Sequence, residues 1–168
     1  MILLGIGSNL TSSYGDRYKN IDLAIHYLGK DKIRTIKKSS YYETFSYPDK
    51  KKPKFINVIL LVETDLEPDI LASKIILVEE KLERKRSTKN APRTCDIDII
   101  DYKGMIINFK FNNLNFEVPH KKLSSRNFVL FPLQEILPNW KHPRTQMSVK
   151  ILIDNLTFED KNSILKIK

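Results

Sequence analysis

Two aspartates, Asp96 and Asp98, stand two residues apart in the segment TCDIDIIDY, residues 94–102. In an extended strand this spacing sends both side chains out of one face, roughly 7 Å apart at their Cα atoms. Unpaired carboxylates so placed repel each other. As shared ligands of a hard cation such as Mg²⁺, which prefers carboxylate, water and phosphate oxygens, they make chemical sense. The plainer alternative is a pair of solvated acids on an edge strand. The arginines weigh against it: the chain has seven, and Arg84, Arg86 and Arg93 fall within ten residues just ahead of the aspartates. A guanidinium fork matches phosphate oxygens in a way an ammonium does not. Metal ligands and arginines together supply the positioning and electrostatic stabilisation that phosphoryl-type transfer requires. No nucleophile is needed from the protein when the acceptor brings its own hydroxyl. The competing use for Arg84 and Arg86 is ion pairing with Glu79, Glu80 and Glu83 on the helix before them.

Other reactive residue types are sparser. The turn Gly5-Ile6-Gly7-Ser8-Asn9 lacks the third glycine of a dinucleotide fingerprint, with Leu10 in its place, and no P-loop lysine motif occurs. A nucleotide must then be held by other means, and the glycine turn reads as structural. His120, after Pro119, is a candidate phosphate or nucleotide contact, with a structural role as the alternative. His26 and His142 read as structural or surface residues. Cys95 belongs to the core, and Lys50, Lys51, Lys52 and Lys54 to a solvated loop.

The elements that position these groups must come from 168 residues, 41% hydrophobic and 29% charged, which suits one domain over 1–168 and disfavours disorder. The net charge of +9 suits nucleic acid, an anionic surface or a phosphate-bearing ligand. No run approaches the ~18 apolar residues of a membrane span, and MILLGIG reads as a first strand. A single cysteine excludes an intrachain disulfide framework and points to the cytoplasm.

Periodicity predicts strand 2–7, a helix over 16–28 stopped by Gly29, and a strand over 33–44. A polar, mobile loop follows at 46–54, then the most apolar strand at 55–64. Pro68 opens a helix to Leu82 with Ile70, Leu71, Ile75, Val78 and Leu82 inward. After a basic loop comes the aspartate strand. The order βαββαβ predicts an α+β, ferredoxin-like sandwich with its helices on one face. Beyond it are expected a hairpin turning at Gly104, a short strand ending at Val118, a helix near 131–137, and a short helix with an extended tail.

GSNL at 7–10, SSYYET at 39–44, FIN at 55–57, the helix into Glu79, RKR at 84–86, PRTCDIDII at 92–100, VPH at 118–120 and RNFVLFPLQEILP at 126–138 resemble the 6-hydroxymethyl-7,8-dihydropterin pyrophosphokinase (HPPK) family of the folate pathway. The resemblance spans roughly residues 2 to 140, and the order and spacing of the last three segments make it specific. It implies transfer of the β,γ-pyrophosphoryl group of ATP to the pterin hydroxymethyl oxygen, releasing AMP. Asp96 and Asp98 would hold two Mg²⁺ ions, and Arg84 and Arg93 would neutralise the polyphosphate during transfer. Glu79, Arg86, His120 and Arg126 would contact ATP. Thr44 and Asn57 would hydrogen-bond the pterin, and Phe55 and Phe128 would sandwich it. The implied partners are these two small substrates and no nucleic acid or membrane, for a monomer whose loops at 46–54 and 84–91 close as lids. Glu83 and Ala91 stand where the family usually has glycine, and Asn90 near an aromatic some members carry. Two other readings compete: a basic RNA-binding module of the same fold, though no RNP1 pattern occurs, and a member that binds ATP or pterin without turnover.

Overall fold

The computed structural model describes residues 1–167; Lys168, the end of the expected domain, lies outside them. Strand β1 (Ile2–Ser8) is an interior strand, buried on both faces. Ile2, Leu4 and Ile6 join one core, while Leu3 joins the other. Helix α1 (Arg17–Lys30) is capped by Asp16, whose carboxylate accepts the Lys19 N–H, and it buries Ile21, Ala24 and Leu28. It runs one residue past Gly29, the expected stop. The left-handed turn that ends it falls at Lys32 (φ 64°).

The strand expected over 33–44 is broken in two, β2 (Arg34–Lys38) and β3 (Tyr41–Thr44). Ser39 causes the break: its N–H donates to Ile59 O and its hydroxyl accepts the Ile59 N–H, both at 3.0 Å. Both pieces pair antiparallel with β4 (Phe55–Glu63). Pro68 opens α2 (Pro68–Lys81), and Leu71, Ile75, Val78 and Leu82 are buried. Ile70, expected with them, falls one position off that stripe and is exposed. Strand β5 (Asp96–Tyr102) completes the sheet order β5-β1-β4-β3, with β2 also on β4. This is the expected ferredoxin-like arrangement.

Gly104 (φ 70°) makes a turn, but not the hairpin's. The hairpin β6 (Ile107–Phe111) and β7 (Leu114–Val118) turns at Asn112-Asn113, both left-handed, and forms a separate two-stranded sheet. Helix α3 (Asn127–Ile136) starts four residues before the expected Phe131. After α4 (Val149–Asp154) and α5 (Phe158–Asn162), the tail forms β8 (Ile164–Ile167), a strand paired with β3. Helices therefore cover both faces of the sheet. On one, α1 and α2 pack over Ile2, Leu4 and Ile6. On the other, Val129, Leu130 and Leu133 of α3 and Leu152 of α4 cover Leu3, Ile59 and Ile100. Among the described residues no helix is long and apolar enough to cross a membrane.

Trp140 closes this second core. Its indole N–H donates to Asp101 Oδ2 at 2.8 Å, while Asp101 Oδ1 accepts the Gly104 N–H at 2.8 Å. Asp101 is 1% exposed, so loss of the indole donor leaves a buried carboxylate oxygen unpaired. Trp140→Phe is expected to lower stability by about 1–3 kcal/mol in urea unfolding. An unchanged midpoint would show that Asp101 draws no stabilisation from the indole.

Candidate active site

The floor of the site is the half of the second sheet face that α3 and α4 leave open. Residues directly opposite across antiparallel strands share a face. Gly7 pairs with Asn57 on β4 and with Asp96 on β5; Gly5 pairs with Ile59 and Asp98. A Cβ at Gly7 would lie 3.0 Å from Asn57 Oδ1 and 3.4 Å from the Phe55 ring. The missing side chain thus lets the Asn57 carboxamide and the Phe55 ring close directly onto the strand backbone, beside Asp96. Sequence reasoning treated these glycines as a structural turn. Their alternation on one face of a strand was the signal of close approach.

On the β5 side, four arginines and three carboxylates form two neighbouring ion-paired groups. Arg84 Nη1 bridges Glu79 Oε1 at 2.5 Å and Asp96 Oδ1 at 2.6 Å. Arg86 donates to Glu79 Oε2 at 2.7 Å, and Arg93 Nη2 lies 2.8 Å from Asp96 Oδ2. Burial alone would raise Asp96, but Arg93 and Arg84 hold its carboxyl below the usual range. Asp98 is less well compensated, with only Arg126 Nη1 at 3.4 Å. Burial and the charge of Asp96 push the Asp98 carboxyl up to about 6, against the pull of Arg126. The 35% of its side-chain surface open to solvent softens that push. Glu79 is buried and accepts the Ile97 N–H at 2.7 Å as well. Burial raises it to about 7, Arg84 opposing.

His120 follows β7. Burial, then the nearby Arg126, lowers it to about 4, so the ring is neutral at pH 7. Its Nδ1 accepts the Lys122 N–H at 3.2 Å, which places the proton on Nε2 as a free donor. Arg126 also lies over the Phe128 ring (5.3 Å), and Arg93 over Phe55 (5.1 Å). On the β3 and β4 side, Asn57 Nδ2 donates to Thr44 Oγ1 at 3.0 Å, and both residues are buried. The structure thus gathers Glu79, Arg84, Arg86, Arg93 and Asp96 in one ion-paired group with Phe55 against it. A second group contains Asp98, Arg126, Phe128 and His120. Thr44 and Asn57 lie across Gly7 from Asp96.

Asn9 is a residue that sequence reasoning missed, because its partners are distant in the chain. Its Oδ1 accepts the Arg93 N–H at 2.7 Å, and its own N–H donates to Arg93 O at 3.0 Å. Its Nδ2 donates to Ser46 Oγ at 3.2 Å and Pro53 O at 3.0 Å, the two ends of the 46–54 loop. The loops at 46–54 and 84–91 also touch, Lys52 Nζ donating to Asn90 O at 3.2 Å. Glu83 and Asn90 both take left-handed conformations (φ 67° and 60°), a backbone state that glycine adopts at no cost. At Glu83 the side chain compensates, accepting from the Ser13 N–H at 2.9 Å and from the Ser13 hydroxyl. Cys95 is buried and free, as expected.

Known proteins share this arrangement of sequence. A profile of the family 7,8-dihydro-6-hydroxymethylpterin-pyrophosphokinase (HPPK) matches residues 3–138. A 2-amino-4-hydroxy-6-hydroxymethyldihydropteridine pyrophosphokinase of Aquifex aeolicus is 36% identical over 99% of this chain and 98% of its own. A folic acid synthesis protein of Pneumocystis carinii is 32% identical over 98% of this chain, which spans only 21% of that longer protein. Among solved structures, an HPPK-DHPS of Plasmodium falciparum matches 99% of this chain with a TM-score of 0.76 at 15% identity, and the chain spans 46% of it. That likeness concerns the fold alone. With the family profile covering most of its length and a relative of nearly the same extent 36% identical to it, the chain belongs to the 7,8-dihydro-6-hydroxymethylpterin-pyrophosphokinase family.

Proposed function

We propose that this protein transfers the β,γ-pyrophosphoryl group of ATP to 6-hydroxymethyl-7,8-dihydropterin, giving AMP and the pterin diphosphate on the route to folate. The observation that carries the reading is the charged cluster around Asp96 and Asp98, set beside the buried Thr44–Asn57 pair on one open sheet face. In the reaction the hydroxymethyl oxygen bonds to the β-phosphorus, the bond to the α-phosphate oxygen breaks, and the hydroxyl proton is released. The protein's part is to hold the two substrates in line and stabilise the charge on the transferring group.

The donor set fits magnesium. Asp96 and Asp98 offer only hard oxygens, and among the described residues no third His, Cys, Asp or Glu joins them. Mg²⁺ needs no fuller cage, since it binds through one or two carboxylates plus waters and substrate phosphates. Asp98, with a single long ion pair, has coordination to spare. Two magnesium ions held by these aspartates would neutralise charge on the polyphosphate. Arg84 and Arg93 lie within reach of the same oxygens, and the Arg93 Nε, buried and unpaired among the described residues, has a donor left for phosphate. Arg86, Arg126 and the His120 Nε2–H would hold ATP. Glu79, expected to contact ATP, is 2% exposed with its carboxylate paired to Arg84 and Arg86, so it would act on ATP through the two arginines it orients. Thr44 and Asn57 would read the edge of the pterin, and Phe55 and Phe128 would grip its faces, as flat heterocycles are held elsewhere. The same reading takes the chain as a single cytoplasmic domain over 1–168, acting as a monomer.

The defining experiment is an assay with ATP and 6-hydroxymethyl-7,8-dihydropterin that follows AMP. AMP appearing only with both Mg²⁺ and pterin supports the activity; no product from folded protein that binds both substrates refutes turnover. Asp98→Ala is expected to lower turnover by roughly 10³-fold or more with the fold intact. A tenfold loss or less would remove Asp98 from the metal site. Arg126→Ala is expected to weaken ATP binding by about ten- to a hundredfold in calorimetry. An unchanged affinity would take Arg126 out of the nucleotide site.

A further inference from the structure

The last segment of the chain, Thr157 to Ile167, lies beyond the residues that the family profile matches. Helix α5 buries no residue, and Phe158 and Leu165 are exposed. A segment with so little apolar burial adds little to the core. Its bonds go instead to the elements that carry the pterin residues. Strand β8 pairs along the whole of β3, with Ile164 opposite Thr44. Since β4 lies on the other side, β3 is held from both edges. Asn127, buried between Arg126 and Phe128 in the chain, donates through Nδ2 to Asp160 O at 2.6 Å and Ser163 Oγ at 3.1 Å. Lys166 lies 3.5 Å from Glu135 of α3. Glu135 in turn accepts from the Ser40 N–H (3.2 Å) and hydroxyl (2.8 Å) and from the Tyr42 hydroxyl (2.8 Å). Lys50, in the loop that follows Thr44, pairs with Glu159.

We propose that the α5–β8 segment is a positioning element for the pterin. Through Asn127 and Ser163 it sets the head of α3, from which Phe128 projects, and through β8 it sets the strand that ends in Thr44. Of the four pterin contacts, Phe128 and Thr44 stand on different elements, α3 and β3, and this segment is bonded to both. A shift of either by a fraction of an ångström would spoil a sandwich whose other face, Phe55, is fixed on β4. The inference rests on the reading that Thr44 and Phe128 contact pterin.

The test is steady-state kinetics on full-length variants with each substrate varied in turn. Asn127→Asp keeps the shape of the side chain but replaces the donor facing Asp160 O with an acceptor. It is expected to raise the pterin KM by about tenfold and the ATP KM by a smaller factor, through the neighbouring Arg126. A role in folding alone would reduce the fraction of active enzyme and so the apparent kcat, leaving both KM values in place. Ser163→Ala, a milder change suited to the case in which Asn127→Asp does not fold, is expected to move the pterin KM in the same direction by a smaller factor. Phe128→Ala separates the two layers of the argument. If it raises the pterin KM while Asn127→Asp and Ser163→Ala do not, the positioning role is wrong and the pterin site stands. If Phe128→Ala leaves the pterin KM unchanged, the site reading is wrong and the positioning role falls with it.

Discussion

Taking a carboxylate out of water between a helix and a sheet costs several kcal/mol unless its lone pairs are filled. At the end of α2 the chain does this with Glu79, and fills them with Arg84, Arg86 and the Ile97 N–H. The arrangement of the site follows from that constraint. If the two arginines left, the buried Glu79 carboxyl would lose its partners and have to take up a proton, so the loop after α2 is held at its first turn. The bond to Ile97, between the two aspartates, registers the helix against β5. Arg84 then reaches Asp96 as a matter of geometry. Fixing these charges before substrate arrives is what electrostatic preorganisation requires, because little reorganisation is left for the moment of reaction.

The second determinant is an absence of side chains. Two glycines on one face of β1 let side chains of the flanking strands close onto its backbone, Ile59 and Ile100 over Gly5, and Asn57 and Phe55 over Gly7. Everywhere else on that face, Leu3, Ile59 and Ile100 are roofed by α3 and α4. The candidate site therefore begins where the roof of α3 and α4 stops. The residue types divide across β1, with charge on the β5 side and aromatic and amide groups on the β4 side.

Much of this was legible because it is local. The stripes of α1 and α2, the apolar run of β4, and the crowding of arginines and aspartates between 84 and 98 are all patterns within a few turns or one strand. What was hidden depends on partners far away in the chain. The break at Ser39 exists because of Ile59, and Asn9 matters because of Ser46, Pro53 and Arg93. The tail reads as merely extended until β3 is there to pair with it. The early start of α3 was invisible for another reason: its N-cap, Arg126, makes no capping bond, so no Ser, Thr, Asp or Asn marks the boundary. Ile70 shows the opposite error, an apolar residue assigned inward although it lies off the stripe.

Asn9 gives the molecule an internal spectroscopic reporter. One carboxamide contacts both ends of the 46–54 loop and the backbone of Arg93. Its NH₂ protons sense the first and its carbonyl the second. In a nitrogen-15 spectrum that single pair of resonances would register a change in the 46–54 loop and a change at Arg93 alike.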